Sequence, residues 1–488
     1  MNNIIEKEKE EMREKRGKTD KIEEKRGEER IEIDKIEEKR GEEREREAKK
    51  RVLEEIEREK IMGEIVRRAV KVFRRNGVVE KLKNGKAEVF VSGILMNQIG
   101  GVLGKYESID PVFASEWKED EGSKEEIKFF VGEKIEKVWK ELEWKEWMKE
   151  AANKIQKLRE SINEEKLPKI SKKISEDKAY MIIKCKRENE NDKDIKLAYD
   201  LYKKLVNDLC RNGHVKNSEE MGEDEEYGLS LIFTLVLRYL HVLKSGNHQL
   251  GITYYKQLND IQPVEAELFA SPLNHTLDKY CSLFYDTDSP FGSLGPVFNH
   301  IDNLSPNKLY FANPPYQHSI MNLLASSIIS LLKRIETTII LTIPVWDYEG
   351  LLKVGNSKTA SLYKDQDYPI LSLLQSSPFL VSKLIFSREN HVYFDHVNRV
   401  FLPASATYTL IVSSSPSFDH SSFNSLIPSL ISHFDSSYFN SPLLNSSYIS
   451  SFNSLSKPVT RSHSYHNSYS NNSSKYKSKH NSSRYSSQ

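Results

Sequence analysis

Residues 1–60 are almost all Glu, Lys, Arg and Ile. The string KIEEKRGEER occurs at 21–30 and again at 35–44, a period of 14. A coiled coil needs apolar a and d positions through several heptads. Only a sparse set of apolar residues appears, among them Ile22, Ile31, Ile33 and Ile36, and Gly27 and Gly41 interrupt the pattern. The expectation is a charged arm, either a solvated, fraying helix or disordered. Residues 111–142 admit two readings. Ile127, Val131, Ile135, Val138 and Leu142 fall at i, i+4, i+8, i+11 and i+15, as on a helix. Trp117, Phe129-Phe130 and Trp139 have the spacing of a degenerate WW domain, with Leu142 where such a domain carries proline. Helical spacing continues through Trp144, Trp147, Ile155 and Leu158, and 150–262 reads as a helical domain. Within it, GLSLIFTLVLRYLHVL (228–243) is apolar nearly all round, which predicts a buried helix.

The texture changes at 263. VEAELFAS, KLYFANPPY, TTIILTIPVW, LVSKLIFS and ATYTLIVSS alternate with helical stretches up to 413. That alternation predicts an α/β domain with a mostly parallel sheet. Ligands in such sheets bind at the carboxyl ends of the strands. From 414 to 488 Ser takes over, with Asn, Tyr and His, and the last acidic residue is Asp435. Such a low-complexity tail is expected to be disordered. Its Lys, Arg and Tyr side chains suit weak nucleic-acid contacts or a passive spacer.

The chain has 488 residues, with 73 Lys and Arg against 72 Asp and Glu. The net charge of +1 hides uneven placement, so charge alone points to no partner. Cys185, Cys210 and Cys281 stand far apart with no CxxC pair, which supports neither a disulfide scaffold nor a zinc knuckle and fits a reducing compartment. The N-terminus lacks the apolar run of a signal peptide. The run Leu229–Leu237 is too short to span a bilayer. The expectation is a soluble, intracellular, multidomain protein without a membrane partner. GGVLGK (100–105) misses the phosphate-loop pattern, because Ile99 stands where glycine is required and Tyr106 follows the lysine.

One turn carries chemistry. Asn313-Pro314-Pro315-Tyr316 follows the strand-like KLYFA and precedes the helical HSIMNLLASSIISLLKR. Two prolines fix φ and remove two N–H donors. The Asn amide adds an acceptor and a donor on a rigid turn. An Asn oxygen and a Pro carbonyl can accept both hydrogens of an exocyclic amine while an aromatic ring stacks on its base. That steers the nitrogen lone pair of a poor nucleophile toward a methyl donor.

The stretch FASPLNHTLDKYCSLFYDTDSPFGSLGPVFN, followed by FANPPYQHSIMNLL, resembles the catalytic domain of the phosphorylated-CTD-interacting factor family. The resemblance covers roughly 225–413. It implies a Rossmann-like, S-adenosylmethionine-dependent methyltransferase domain, preceded by the helical domain. The implied activity is methylation of adenosine N6 in 2′-O-methyladenosine beside the 7-methylguanosine cap of mRNA, without a metal. Internal RNA or DNA adenine is the alternative substrate. A catalytically dead scaffold binding the phosphorylated C-terminal domain of RNA polymerase II is the alternative role. Nuclear residence follows from the family role.

By the same resemblance Asn313, Pro314, Pro315 and Tyr316 hold the target adenine. Phe269, Ser271 and Pro272, in the turn 269–274, meet the cofactor together with Asn313, Asn390, His391 and Val392. Trp346, Asp347, Tyr348, Glu349 and Gly350 form a cap-contacting loop. His318 stands where the family has an acidic residue against the cap guanine. A carboxylate accepts guanine N–H groups; a protonated imidazole does not.

Overall fold

The computed structural model describes residues 2–77, 132–188, 190–216, 221–242, 250–252, 263–364, 368–387, 392–395, 400–403 and 406–416, with single positions between them. The chain divides into two units, 1–444 and 445–488, and the second lies wholly outside the described residues. So does nearly all of the Ser-rich tail expected to be disordered.

Helix α1 runs unbroken through Asn2–Arg75. Glu, Lys and Arg are strong helix formers and carry it past Gly27 and Gly41, each of which costs about 1 kcal/mol. Its second half is not an arm. Ala48, Val52, Ile56, Ile61, Met62, Ile65, Val66, Ala69, Val72 and Phe73 are all buried. The boundary expected at 60 falls inside this helix. Helix α2 (Ile135–Glu141) contains Trp139, the second aromatic of the WW spacing. Trp117, Phe129 and Phe130 lie outside the described residues. Helix α3 (Trp144–Ser161) buries Trp144, Trp147, Met148, Ala151, Ala152 and Ile155 along one stripe.

The segment expected to be a helical domain also contains a sheet. Strands β1 (Lys169–Ile174), β2 (Tyr180–Lys186) and β3 (Lys193–Ala198) form an antiparallel meander. Met181, Ile183 and Cys185 alternate with half-buried neighbours, the period-2 pattern of a strand. Helix α4 (Tyr199–Arg211) packs Leu201, Leu205, Val206 and Leu209 inward. Helix α5 (Glu225–Val236) is buried from Tyr227 to Val236 and continues as a π-helical turn, Leu237–Val242. Ser230 and Thr234 satisfy their hydroxyls on the carbonyls of Glu226 and Ser230.

The π turn contributes Arg238 to a buried ionic network. Arg238 pairs with Glu55 of α1 and with Asp286, beyond the start of the α/β region. Arg58 of α1 pairs with Glu54, Glu55 and Asp110. The network ties the first helix to both later regions.

The α/β region is built on a five-stranded sheet in the order β5-β6-β7-β11-β8. Its strands are β5 (Val264–Glu267), β6 (Leu309–Ala312), β7 (Thr338–Pro344), β8 (Leu380–Phe386) and β11 (Thr407–Ser413). Strands β5, β6 and β7 pair in parallel. Strand β11 runs antiparallel to both β7 and β8. The sheet is therefore mixed: four strands share a direction and one inserted strand opposes them. Such a mixed α/β sheet is compatible with a methyltransferase fold. Every residue of β7 and β11 is buried. Helices α6 (His318–Leu332) and α8 (Pro369–Gln375) cover it with Met321, Leu324, Ile328, Ile370 and Leu374. A third sheet joins β10 (Val400–Pro403), β9 (Val392–Asp395) and β4 (Leu250–Ile252).

Candidate active site

Three parallel strands end side by side. Past β5, Leu268 N donates to Phe311 O of β6 at 2.7 Å. Past β6 stands Asn313, and past β7 stands Val345, whose N–H donates to Ala406 O at 2.9 Å. The segments 269–274, 313–316 and 346–350 thus emerge at one carboxyl edge, where open α/β sheets bind ligands.

At the middle strand, Pro314 is buried and Asn313, Pro315 and Tyr316 are half-buried. Gln317 N donates to Pro315 O at 2.8 Å, closing a tight turn before α6. The Asn313 Oδ1 is shielded from solvent and accepts no hydrogen bond among the described residues. Leaving such an acceptor unpaired costs about 1–3 kcal/mol, so it is set for a donor brought by a ligand. Ser319 Oγ and Asn322 Oδ1, on the first turns of α6, are likewise shielded and unbonded among the described residues. No motif pointed to these two, because Ser and Asn are ordinary on a helix.

Beside the turn lies an aromatic group. Trp346 meets Tyr316 edge-on at 6.4 Å, His318 at 4.9 Å and Tyr368 at 6.1 Å between ring centres. Tyr368, which the sequence did not single out, is anchored through its hydroxyl to Pro344 O at 2.8 Å. Burial lowers the pKa of His318, so its imidazole is neutral at neutral pH.

The loop after Trp346 divides by role. Asp347 caps helix α7 (Tyr348–Lys353) by accepting from Gly350 N at 3.0 Å. Its other oxygen accepts from Tyr408 Oη of β11 at 2.7 Å. Gly350 is buried beneath them, whereas Tyr348 and Glu349 are exposed. Asp347 and Gly350 therefore hold the loop in shape.

The turn after β5 is internally bonded. Ser271 donates to Asn274 Oδ1 through N at 2.7 Å and through Oγ at 3.0 Å. Phe269 packs edge-on against Phe298. Pro272 O accepts from Lys204 Nζ of α4 at 2.7 Å. Burial pushes the Lys204 ammonium down to about 8. Burial opposes ionisation of Asp208, but His275 and Lys204 outweigh it and hold that carboxyl below its usual range. Asn390 and His391 lie outside the described residues. Val392 opens β9, in the third sheet. Among the described residues no cluster of His, Cys, Asp or Glu is arranged to hold a metal, and no helix is long and apolar enough to cross a membrane.

Residues 200–396 match the family described as phosphorylated CTD interacting factor 1 WW domain. The matched stretch begins in α4 and excludes Trp117 and Trp139, so it does not bear on the 111–142 segment. A human protein named mRNA (2′-O-methyladenosine-N(6)-)-methyltransferase is 28% identical over 174 residues, 34% of this chain and 22% of its own length. The mouse protein of the same name is 27% identical over the same shares. The chain thus spans about a fifth of the length of the curated relatives it matches.

Proposed function

From this family resemblance, which runs from α4 to just past β9, we propose that the chain is an S-adenosylmethionine-dependent adenosine N6-methyltransferase. Its substrate is 2′-O-methyladenosine next to the 7-methylguanosine cap of mRNA. One observation carries the reading: the buried, unbonded Asn313 Oδ1 at the end of β6. It suits one hydrogen of the adenine amine, and the Pro314 carbonyl suits the other. Tyr316 offers its ring to the base. Holding both hydrogens aims the nitrogen lone pair and stabilises the charge that grows on the amine. S-adenosylmethionine, when bound, supplies a methyl group already activated by its sulfonium charge. Phe269, Ser271, Pro272 and Asn313 would hold it, with Asn390, His391 and Val392 assigned by resemblance alone. The amine proton leaves to solvent after transfer.

A second reading takes adenine in RNA or DNA without regard to the cap. His318 favours it: a neutral imidazole offers one acceptor where a carboxylate offers several. Trp346 and Tyr348 remain the residues proposed to meet a cap, with Glu349 beside them. On the cap reading the chain works in the nucleus, near the phosphorylated polymerase tail.

The test is methyl transfer from labelled S-adenosylmethionine to three substrates: capped RNA with 2′-O-methyladenosine first, the same RNA uncapped, and DNA. Transfer to capped RNA alone supports the cap reading. Equal transfer to all three moves the substrate to adenine at large. Donor binding without transfer leaves a scaffold.

A further inference from the structure

A buried polar cluster stands behind the turn that follows β5, and methyl transfer as described above does not use it. His275 and Asp208 are 5% and 4% exposed. His275 Nε2 lies 2.9 Å from Asp208 Oδ2, and its Nδ1 lies 2.8 Å from Leu277 O. The imidazole stacks flat on Tyr280, 4.1 Å between centres and 5° between planes. Asp208 Oδ2 also takes Lys204 Nζ at 3.3 Å, and the same ammonium donates to Pro272 O at 2.7 Å. Lys204 and Asp208 are one helical turn apart on α4. His275 N in turn donates to Ser271 O at 2.9 Å. The turn 269–274 is therefore gripped at Pro272 by Lys204 of α4, and it closes onto His275, whose ring is fixed to Asp208 of the same helix.

We infer that Lys204, Asp208 and His275 are positioning residues, a clamp through which α4 sets the shape of the Phe269–Asn274 turn and with it the affinity for the methyl donor. On the reading above, that turn holds the donor. Pro272 O is the only carbonyl of the turn that Lys204 reaches among the described residues. Orientation of Lys204 depends on Asp208, and orientation of Asp208 depends on the stacked imidazole. None of the three touches the reacting atoms, so their loss acts on binding of the donor more than on the chemical step.

The experiment uses the full chain with Lys204→Met, with His275→Phe, which keeps the stacking surface and removes both nitrogens, and with His275→Gln, which returns one donor to Asp208. Affinity for S-adenosylhomocysteine is measured by calorimetry, and turnover at saturating S-adenosylmethionine alongside. The expected result is a loss of affinity of about tenfold in Lys204→Met and His275→Phe, the worth of one charge-assisted hydrogen bond. Turnover at saturating donor stays within about twofold, and His275→Gln recovers most of the affinity. Unchanged affinity in both, or a loss confined to turnover, overturns the clamp and leaves the methyl-donor reading standing. A wild-type chain that binds no donor overturns both.

Discussion

Arg238 and Glu55 form a fully buried ion pair across 183 positions of sequence. Nε reaches Oε1 at 2.7 Å and Nη2 reaches Oε2 at 2.8 Å, and both side chains are 0% exposed. Neither charge has water to fall back on. Removing Arg238 leaves Glu55 with Arg58 alone and takes a cation from Asp286 as well, which costs more than the pair contributes. Arg238→Met is expected to lower unfolding free energy by about 3–5 kcal/mol. Urea denaturation measures it. The double change Arg238→Met with Glu55→Leu should cost less than the single one; an equal or larger loss would show that the charges are not coupled.

Asn313 is expected to separate activity from stability. Its Oδ1 has no partner to lose among the described residues, so Asn313→Ala should leave the melting temperature nearly unchanged. Methyl transfer should fall by about 100-fold or more, as when one preorganised polar contact is removed from a transition state. A rate within a few-fold of wild type at saturating substrate would remove Asn313 from the chemistry.

Gly350 is expected to tolerate no side chain. A Cβ there would overlap Tyr408 Oη and come within 2.6 Å of Val345 Cγ1 and 2.7 Å of Asp347 Oδ1. Two of the crowded atoms belong to the cap of α7 and to β11, so relief means breaking the Tyr408–Asp347 bond. Gly350→Ala should destabilise by about 1–3 kcal/mol. A melting curve that overlays the wild type would show that this loop yields more easily than its bonding implies.

Asp288 gives stability an acid-side signature. Its side chain is buried and accepts from Tyr239 Oη at 2.5 Å and from Thr287 Oγ1 at 2.8 Å. Burial pushes its carboxyl up to about 6 from 3.8, against the pull of Ser282, Tyr239 and Thr287. The folded state thus holds this proton more tightly than the unfolded state does. Its contribution is complete below about pH 3.8 and fades as pH rises through about 6. In Asp288→Asn that downward step should vanish from a plot of unfolding free energy against pH. A step of unchanged size would assign it to another group.

The candidate site was legible where it was local. Asn313 to Tyr316 form a contiguous string between a strand and a helix, so residue order alone located the turn. Asp347 and Gly350 were found as a loop, but their structural role depends on Tyr408, 61 positions away, and no local pattern reports that. The burial of α1 was hidden because Glu55 and Arg58 sit within its apolar stripe and make it look solvated; their partners, Arg238 and Asp110, lie far along the chain. Strands β1 to β3 were hidden by lysines on their exposed edges, although Met181, Ile183 and Cys185 alternate correctly for a strand. The reversal of β11 could not be read at all, since an apolar strand carries no mark of its direction.

That reversed strand gives synthesis of the chain an order. Strands β5, β6 and β7 can pair as soon as they leave the ribosome. Among the described residues strand β8 has no neighbour in the sheet except β11, which is made later and must enter between β8 and β7. Until Ser413 has emerged, β7 and β8 both present bare backbone edges, templates for pairing with another chain. A chain cut short before Ser413 therefore leaves both edges open and is expected to aggregate more readily than the full one.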